Sequence, residues 1–329
     1  MPPTLASGIT QCFPPAAKFT GEDVPDLADK VYMVTGATSG VGKELTRILY
    51  AKNAKVYIAA REECGTLEDI KKAEPASVGS LTFLTLDLAD LRSVKAAAEK
   101  FLAKETKLSV LFNNASHMSG DENEPQRTTQ GYEKQLGVNC LGPFLLTKLL
   151  MPLLLATAAD KNTWTNEVRV VFVSSFAAEM YHEKQVGIDM DNLDYHRQKP
   201  SIHRYGLSKV GAWTYGVELT KRFGAKGVLG VPVNPGNLRS NLFAEKGWLF
   251  RLQVAIMHYP PVQGAYTELF AGLSPDMTLD KAGGYVFPFG RFHSICKELE
   301  LAAKPESEGG ADLARKFWEW SEEQVAEFV

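Results

Sequence analysis

Hydrophobic residues from Lys30 onward fall into two alternating kinds of segment. Short runs rich in β-branched residues predict strands, and longer stretches with apolar residues every three or four positions predict amphipathic helices. The predicted strands are Val31–Thr35, Lys55–Ala59, Leu81–Leu86, Val110–Asn113, Val168–Ser174 and Val228–Asn234. The predicted helices are Gly42–Ala51, Leu91–Ala103, Thr129–Thr157 and His203–Phe223. This alternation predicts an α/β fold with a doubly wound parallel sheet.

The two ends of the chain carry weaker signals. A last strand is predicted within Gly283–Phe287 and a closing helix over Ala311–Phe328. Residues 1–28 contain prolines and show no periodicity, so we predict an N-terminal arm without a packed element. Residues 29–329 are then expected to form a single domain.

Composition and charge narrow the range of partners. The chain is 45% hydrophobic and 23% charged, which is typical of a soluble globular protein. Its net charge of -3, with no basic block, argues against nucleic acid as a partner. Four widely spaced cysteines suggest neither a disulfide framework nor a zinc site, so we expect a reducing, cytoplasmic location and no metal. No signal peptide or membrane span is predicted, because Leu149–Ala159, the longest apolar run, is shorter than the ~20 residues needed to cross a bilayer.

A glycine-rich loop follows the first predicted strand directly. It reads Thr35-Gly-Ala-Thr-Ser-Gly-Val-Gly42 and leads into the helical KELTRILY. A tight turn there needs residues that tolerate positive φ, and a dinucleotide pyrophosphate needs bare backbone amides at a helix N-terminus. We therefore predict nucleotide binding by Gly36, Thr38, Ser39, Gly40, Val41 and Gly42. The alternative is a glycine-rich turn with no ligand.

The G-x-x-x-G-x-G spacing of this loop resembles that of the short-chain dehydrogenase/reductase family. Further segments resemble the same family, namely Asp87-Leu88, Asn113-Asn-Ala-Ser116, Val138-Asn139-Cys-Leu-Gly142, Val173-Ser-Ser175 and Asn234-Pro-Gly236. The resemblance covers roughly residues 30–291 and implies a Rossmann-type fold and a nicotinamide cofactor. FLLTKLLMPLL and the end of the chain look most like the retinol-dehydrogenase-like branch.

The resemblance also implies roles for individual residues. It places Asp87, Leu88, Asn114, Ala115, Pro235, Gly236, Leu238 and Ser240 in cofactor binding. Ser175 would hold the substrate oxygen, and Asn139 would organise a water that connects a catalytic lysine to solvent. Ser174 is the rival for Ser175, because alternation along a strand sends one of the two serines to the other face. Ser116 and Ser240 are mild departures from the glycine and threonine usual in the family.

The end of the second predicted strand bears on the choice between NAD and NADP. Dehydrogenases that prefer NAD usually have an acid there, which accepts hydrogen bonds from the ribose hydroxyls. This chain has Ala60 followed by Arg61, whose guanidinium suits bidentate pairing with a 2′-phosphate. NADP is therefore the predicted cofactor; the alternative is that Arg61 is an ordinary surface charge.

Tyr205 and Lys209 form a Tyr-x-x-x-Lys pair suited to proton transfer. Ketone reduction by hydride transfer needs a proton donor, and an ammonium one helical turn away is expected to lower the phenol's pKa. Tyr195 and Lys199 have the same spacing, but Pro200 disfavours helix at Lys199. We therefore predict that Tyr205 and Lys209 bind the cofactor and catalyse the reaction, whereas the earlier pair does not.

Two segments are expected to shape substrate entry, and the first of them is longer than the connection usual in the family. An insertion over residues 176–204 contains His182, His196 and His203, which we interpret as solvated loop histidines because their spacing does not suit a metal. Residues 237–260 are predicted to form a substrate lid, with Trp248, Leu249, Phe250 and Met257 lining or guarding a lipophilic pocket. The alternative for this segment is a peripheral membrane contact.

The residues and the resemblance together predict an NADP-dependent enzyme that interconverts a ketone and a secondary alcohol on a fairly large apolar molecule. Two other hypotheses remain open. One is a redox-neutral isomerase or cyclase that uses bound NADP(H), and the other is a nucleotide-responsive binding protein without turnover. The helices Thr129–Thr157 and His203–Phe223 could form the seam of a homodimer, although their apolar faces could instead only cover the sheet.

Overall fold

The computed structural model describes residues 5–120, 125–239 and 259–329, and its centre is an eight-stranded sheet. The strands are β1 Val31–Thr35, β2 Lys55–Ala60, β3 Ser80–Thr85, β4 Val110–Asn113, β5 Val168–Val173, β6 Val228–Val233, β7 Tyr285–Phe287 and β8 Arg291–His293. Their order is β3-β2-β1-β4-β5-β6-β7-β8, and only β8 runs antiparallel to its neighbour. The predicted doubly wound fold in a single domain is confirmed.

Helices cover both faces of this sheet. They are α1 Leu5–Cys12, α2 Gly40–Ala51, α3 Thr66–Ala73, α4 Leu91–Leu102, α5 Lys134–Leu136, α6 Gly142–Ala159, α7 Phe176–Tyr181, α8 Ser201–Phe223, α9 Pro261–Leu273, α10 Lys297–Ala303 and α11 Leu313–Val325. One apolar core lies between the sheet and helices α4, α6, α8 and α11, and a second lies between the sheet and α2, α3 and α9. Because β5 and β6 are buried along their whole length, their residues are apolar throughout except for Arg169 of β5, rather than alternating between apolar and polar.

The helix predicted over residues 129–157 starts later and is interrupted. Gly131 has a φ of +85° in a turn closed by a 2.8 Å hydrogen bond from the Thr128 amide to the Tyr132 carbonyl, so helix begins only at Lys134. A π-helical turn, Gly137–Leu141, then separates α5 from α6. π-Turns inside helices often mark functional sites, and this one carries Asn139.

Among the described residues, the helical stretch Lys134–Ala159 is long and apolar enough to cross a membrane. However, 67% of its most apolar window is buried inside the protein. Its composition is therefore accounted for by packing between the sheet and the neighbouring helices.

The N-terminal region is more ordered than the sequence predicted. Residues 5–28 contain α1, and Val24 and Leu27 are buried in the core beside α2. The Leu27 amide donates to the Lys52 carbonyl at 2.7 Å, which ties this segment to the end of α2. The expectation of no packed element was wrong because α1 is too short to show a clear period, and the buried contacts of this region are made with distant parts of the chain.

Candidate active site

A cleft of about 1020 Å³ opens at the carboxyl edge of the parallel strands. Doubly wound folds bind their ligands at this edge. Every predicted cofactor residue in the described part of the chain lines it: Gly36, Thr38, Ser39, Gly40, Val41, Gly42, Arg61, Asp87, Leu88, Asn114, Ala115, Tyr205, Lys209, Pro235, Gly236 and Leu238. Ser240 and the predicted lid residues Trp248, Leu249, Phe250 and Met257 lie outside the described residues.

The glycine loop brings bare backbone to the N-terminus of α2. Gly36 and Gly40 have φ values of +66° and +55°, which favour glycine. A Cβ added at Gly42 would lie 2.5 Å from Asn114 Nδ2 and 2.6 Å from the Gly36 carbonyl oxygen. Asn114 Nδ2 donates to the Thr35 carbonyl at 2.7 Å, so this side chain also holds the loop. The arrangement fits a dinucleotide pyrophosphate, because backbone amides at a helix N-terminus attract an anion.

The far end of the cleft is suited to the adenosine half of a dinucleotide. Arg61 is exposed there, immediately after β2 ends at Ala60. Asp87 lines the same cleft two residues after the end of β3, and its carboxylate accepts a 2.9 Å hydrogen bond from the Ala89 amide. Glu62 also lines this end and was not predicted from the sequence. One guanidinium and two carboxylates therefore line this end of the cleft, with the guanidinium adjacent to the end of β2.

Tyr205 and Lys209 lie together on α8 and face the cleft. Tyr205 is 7% exposed and Lys209 is 2% exposed. Lys209 Nζ lies 5.5 Å from the centre of the Tyr205 ring. Lys209 Nζ donates to the Val173 carbonyl at 2.8 Å, which fixes the amine at the end of β5. This position leaves the amine close to both the phenol and the loop after β5.

The competing Tyr195 and Lys199 do not share a helix. Tyr195 has a φ of +56°, and α8 begins only at Ser201, after Pro200. Lys199 Nζ instead forms a 2.7 Å ion pair with Glu183. The restriction that proline places on its predecessor therefore correctly predicted that Tyr195 and Lys199 do not share a helix.

The predicted lowering of the tyrosine pKa by the lysine is wrong for this structure. Burial raises the pKa of Tyr205 to about 12, and hydrogen bonds with the Ser116 and Ser175 hydroxyls offset only part of that effect. Burial also lowers the pKa of Lys209 to about 8. An opposite charge nearby favours the phenolate, but the loss of hydration on burial disfavours it and is the largest effect on the pKa of Tyr205. Tyr205 is therefore a neutral phenol at physiological pH, able to donate a proton.

Ser174 and Ser175 point in different directions. Ser174 Oγ is buried and donates to the Lys209 carbonyl at 2.7 Å. Ser175 lines the cleft, caps α7 by accepting a 3.2 Å hydrogen bond from the Ala177 amide, and interacts with the Tyr205 hydroxyl. Of the two serines, Ser175 is therefore the one whose hydroxyl lies beside the Tyr205 phenol.

Asn139 supports the site through the residues beside it. Its Oδ1 accepts from the His117 amide at 2.7 Å, and its Nδ2 donates to the His117 carbonyl and to Ser208 Oγ, both at 2.9 Å. The π-turn thereby connects the segment after β4 to α8, next to Lys209. No sequence period predicts such a cross-link between separate elements.

Several residues of the site were missed by sequence reasoning. Tyr285 on β7 donates to the Ser175 carbonyl at 3.0 Å, and Ser116 contacts the Tyr205 hydroxyl. Beyond Tyr205, the cleft is lined largely by apolar and aromatic side chains: Met118, Phe176, Met180, Tyr181 and Ile202. Phe176, Met180 and Tyr181 belong to α7, so this part of the insertion forms a wall of the cleft.

The three histidines of the insertion have other partners. His182 Nε2 lies 3.3 Å from a Glu298 carboxylate oxygen, and His196 bonds to Asp194 on the surface. The His203 ring packs edge-on against Tyr181, with 5.3 Å between the ring centres. In the described ranges, no group of three metal-ligating side chains comes together.

Comparisons with known proteins identify the family. The family model for short chain dehydrogenases matches residues 30–187. A short-chain dehydrogenase/reductase of Phomopsis amygdali is 48% identical over 99% of this chain and 98% of its own length. One from Neocamarosporium betae is 46% identical over 99% of this chain and 94% of its own. An NADPH-bound carbonyl reductase from chicken fatty liver shares the fold, with a TM-score of 0.60 at 18% identity, covering 82% of this chain and all of that one.

The chain therefore belongs to the short-chain dehydrogenase/reductase family, whose members are oxidoreductases that use NAD or NADP. The family prediction made from the motifs is confirmed. Its retinol-dehydrogenase-like branch is not established by these comparisons.

Proposed function

We propose that this protein is an NADP-dependent oxidoreductase that interconverts a ketone and a secondary alcohol on a fairly large apolar molecule. The observation that carries the proposal is the convergence of Tyr205, Lys209 and Ser175 at one end of a cleft that begins at the glycine loop. Proton donor, cationic amine and hydroxyl thus lie where a dinucleotide bound along the strand edge would end. We also propose that the protein belongs to the retinol-dehydrogenase-like branch of the family, which supports a lipophilic substrate.

The residues present fit an NADP molecule along the cleft. The loop amides around Gly36 and Gly40 would hold the pyrophosphate, and the Arg61 guanidinium would pair with the 2′-phosphate. Lys209 has ammonium protons beyond the one given to Val173, and these would hold the ribose nearest the reaction. When bound, the cofactor supplies hydride to the substrate carbon or accepts it.

Proton transfer is assigned to Tyr205. Its buried phenol is neutral at physiological pH and would protonate the oxygen of the reduced ketone, while Ser175 orients that oxygen. In the oxidation direction the phenolate would have to form, and the positive charge of Lys209 would favour it. Asn139 would support the proton relay by fixing the segment beside Lys209.

The substrate class is inferred from the cleft beyond Tyr205. Met118, Phe176 and Ile202 offer apolar surface there, and half-exposed Met180 lies at its margin. Apolar side chains with a few placed polar groups are typical of sites for lipophilic small molecules. We also propose that residues 237–260 close over such a substrate, with peripheral membrane contact as the alternative use of that segment. A cytoplasmic location and a homodimer are further parts of the proposal.

Assays with both cofactors, on the wild type and on two tyrosine variants, test the proposed function. Purified protein would be assayed for NADPH and NADH oxidation against a panel of apolar ketones, with Tyr205→Phe as the test variant and Tyr195→Phe as the matched control. We expect NADPH oxidation matched by alcohol formation in the wild type and the control, and a loss of at least roughly a hundredfold in Tyr205→Phe. Undiminished turnover in Tyr205→Phe, or product formed without NADPH consumption, would contradict the proposal.

A further inference from the structure

A single buried glutamine of α1 joins two segments that border the cleft. Gln11 is only 2% exposed. Its Nε2 donates to Glu179 Oε1 at 3.1 Å, and its Oε1 accepts from Asn234 Nδ2 at 2.8 Å. These partners lie 168 and 223 residues further along the chain. The Gln11 amide therefore hydrogen-bonds both to the Glu179 carboxyl of α7 and to the Asn234 amide after β6.

Each partner is one short step from a residue of the cleft. Glu179 lies one turn after Ser175 on α7, so the two are on the same side of that helix. Asn234 directly follows β6, and its Oδ1 accepts a 3.0 Å hydrogen bond from the Gly236 amide. Gly236 has a φ of +97° and lines the cleft. Gln11 thus connects the helix that carries Ser175 to the turn at Pro235–Gly236.

Burial makes this bridge difficult to replace. Glu179 is 1% exposed, and its Oε2 has no hydrogen-bond partner among the described residues. The other carboxyl oxygen of Glu179, Oε1, accepts the hydrogen bond from Gln11 Nε2. Burial raises the pKa of Glu179 to about 7. A buried carboxyl group that loses its donor has no water to replace it, so α7 would have to shift.

A second contact fixes α1 in place. Arg291 on β8 donates from its guanidinium to both the carbonyl and the hydroxyl oxygen of Thr10, each at 2.7 Å. The backbone of α1 passes close to Phe176 at Gly8, where an added Cβ would lie 3.7 Å from the Phe176 ring. The helix is therefore docked against the sheet edge and against the start of α7 at once.

We propose that Gln11 is a positioning residue, through which α1 sets the separation of Ser175 and the Pro235–Gly236 turn. On this view the N-terminal helix belongs to the framework of the active site. The effect on catalysis rests on the proposed function; the bridge itself does not.

Gln11→Met tests this role, because methionine keeps the length and apolar packing of the side chain but not its hydrogen bonds. Ile9→Ala, on the exposed side of the same helix, is the matched control. We expect at least a fivefold loss of kcat for ketone reduction in Gln11→Met with KM changed less than twofold, and near wild-type values in the control. Adding Glu179→Leu should recover part of the lost melting temperature, since it removes the carboxyl that has lost its donor, but it should not recover kcat, because Asn234 Nδ2 still lacks its acceptor. Restoration of kcat together with the melting temperature would overturn the positioning role.

Hydrogen–deuterium exchange decides the bridge independently of turnover. In the full-length protein without substrate, Gln11→Met should speed amide exchange at least threefold in both residues 176–181 and residues 234–239, whereas Ile9→Ala should leave both unchanged. Wild-type exchange in either segment of Gln11→Met would overturn the bridge. If the wild type reduces no ketone, the proposed function fails, and the exchange result still decides whether Gln11 joins these segments.

Discussion

Replacing Lys209 by methionine should stabilise the protein at neutral pH while removing its activity. Burial lowers the pKa of Lys209 from 10.5 to about 8, so the folded state holds the ammonium less favourably than the unfolded chain does. Below about pH 8 both states are charged, and the whole difference, about 3 kcal/mol at 1.36 kcal/mol per pH unit, opposes folding. Between about pH 8 and 10.5 the folded state loses its proton first, so the wild type gains stability as pH rises.

The test follows from this pH dependence. Integrating between these two pKa values, the advantage of Lys209→Met should shrink by about 2 kcal/mol from about pH 6.5 to about pH 9.5. That corresponds to about 3 °C in melting temperature for a chain of 329 residues. The lost hydrogen bond to Val173 adds a nearly constant offset, because a neutral amine also donates.

Differential scanning calorimetry without cofactor would measure this difference at both pH values. Lys221→Met, at an exposed position of the same helix, is the control and should show no such change between them. A difference between Lys209→Met and wild type that stays constant with pH, or that grows as pH rises, would refute the claim that burial is what lowers the pKa of Lys209.

Three further predictions concern the cleft and the core beside it. Ala60→Asp combined with Arg61→Ala should reduce the preference for NADPH over NADH by roughly tenfold or more in kcat/KM. The double change removes the guanidinium that would pair with the 2′-phosphate and adds a carboxylate that would repel it. An unchanged preference would refute the role of Arg61. Gly42→Ala should weaken NADPH binding at least roughly tenfold in a fluorescence titration, because its Cβ would meet Asn114 Nδ2 at 2.5 Å, and wild-type affinity would contradict that geometry. Burial raises the pKa of Glu268 to about 8, so the wild type should lose stability as pH rises from 4.5 to about 8 whereas Glu268→Gln should not; parallel unfolding curves would argue against it.

Local patterns predicted most of the sheet because β1 to β6 are short runs rich in β-branched and other apolar residues. All six strands predicted between residues 31 and 234 match the structure to within one residue at each end, and β1 and β4 begin and end at the predicted residues. β8 was missed because its three residues, Arg291–His293, are partly or largely exposed and carry no apolar run. α1 was missed because eight residues span barely two helical turns, too few for a period to stand out.

The candidate site divides in the same way. The glycine loop and the Tyr205–Lys209 pair are contiguous signals, so spacing along the chain suffices to find them. The direction of the Tyr205 pKa depends on how deeply other elements bury it, and the Gln11 and Tyr285 contacts join residues more than a hundred positions apart. Such features belong to the tertiary structure, and no local pattern encodes them.

Transfer of labelled hydride from NADPH to a ketone would test the proposed redox chemistry together with the role of Tyr205. The protein would be incubated with a reducible apolar ketone and NADPH carrying deuterium at both positions of nicotinamide carbon 4, and the alcohol analysed by mass spectrometry. The proposed mechanism predicts one deuterium on the carbinol carbon, and almost none of this product from Tyr205→Phe, although that variant should still bind NADPH. An unlabelled alcohol, or labelled alcohol formed equally fast by Tyr205→Phe, would contradict it.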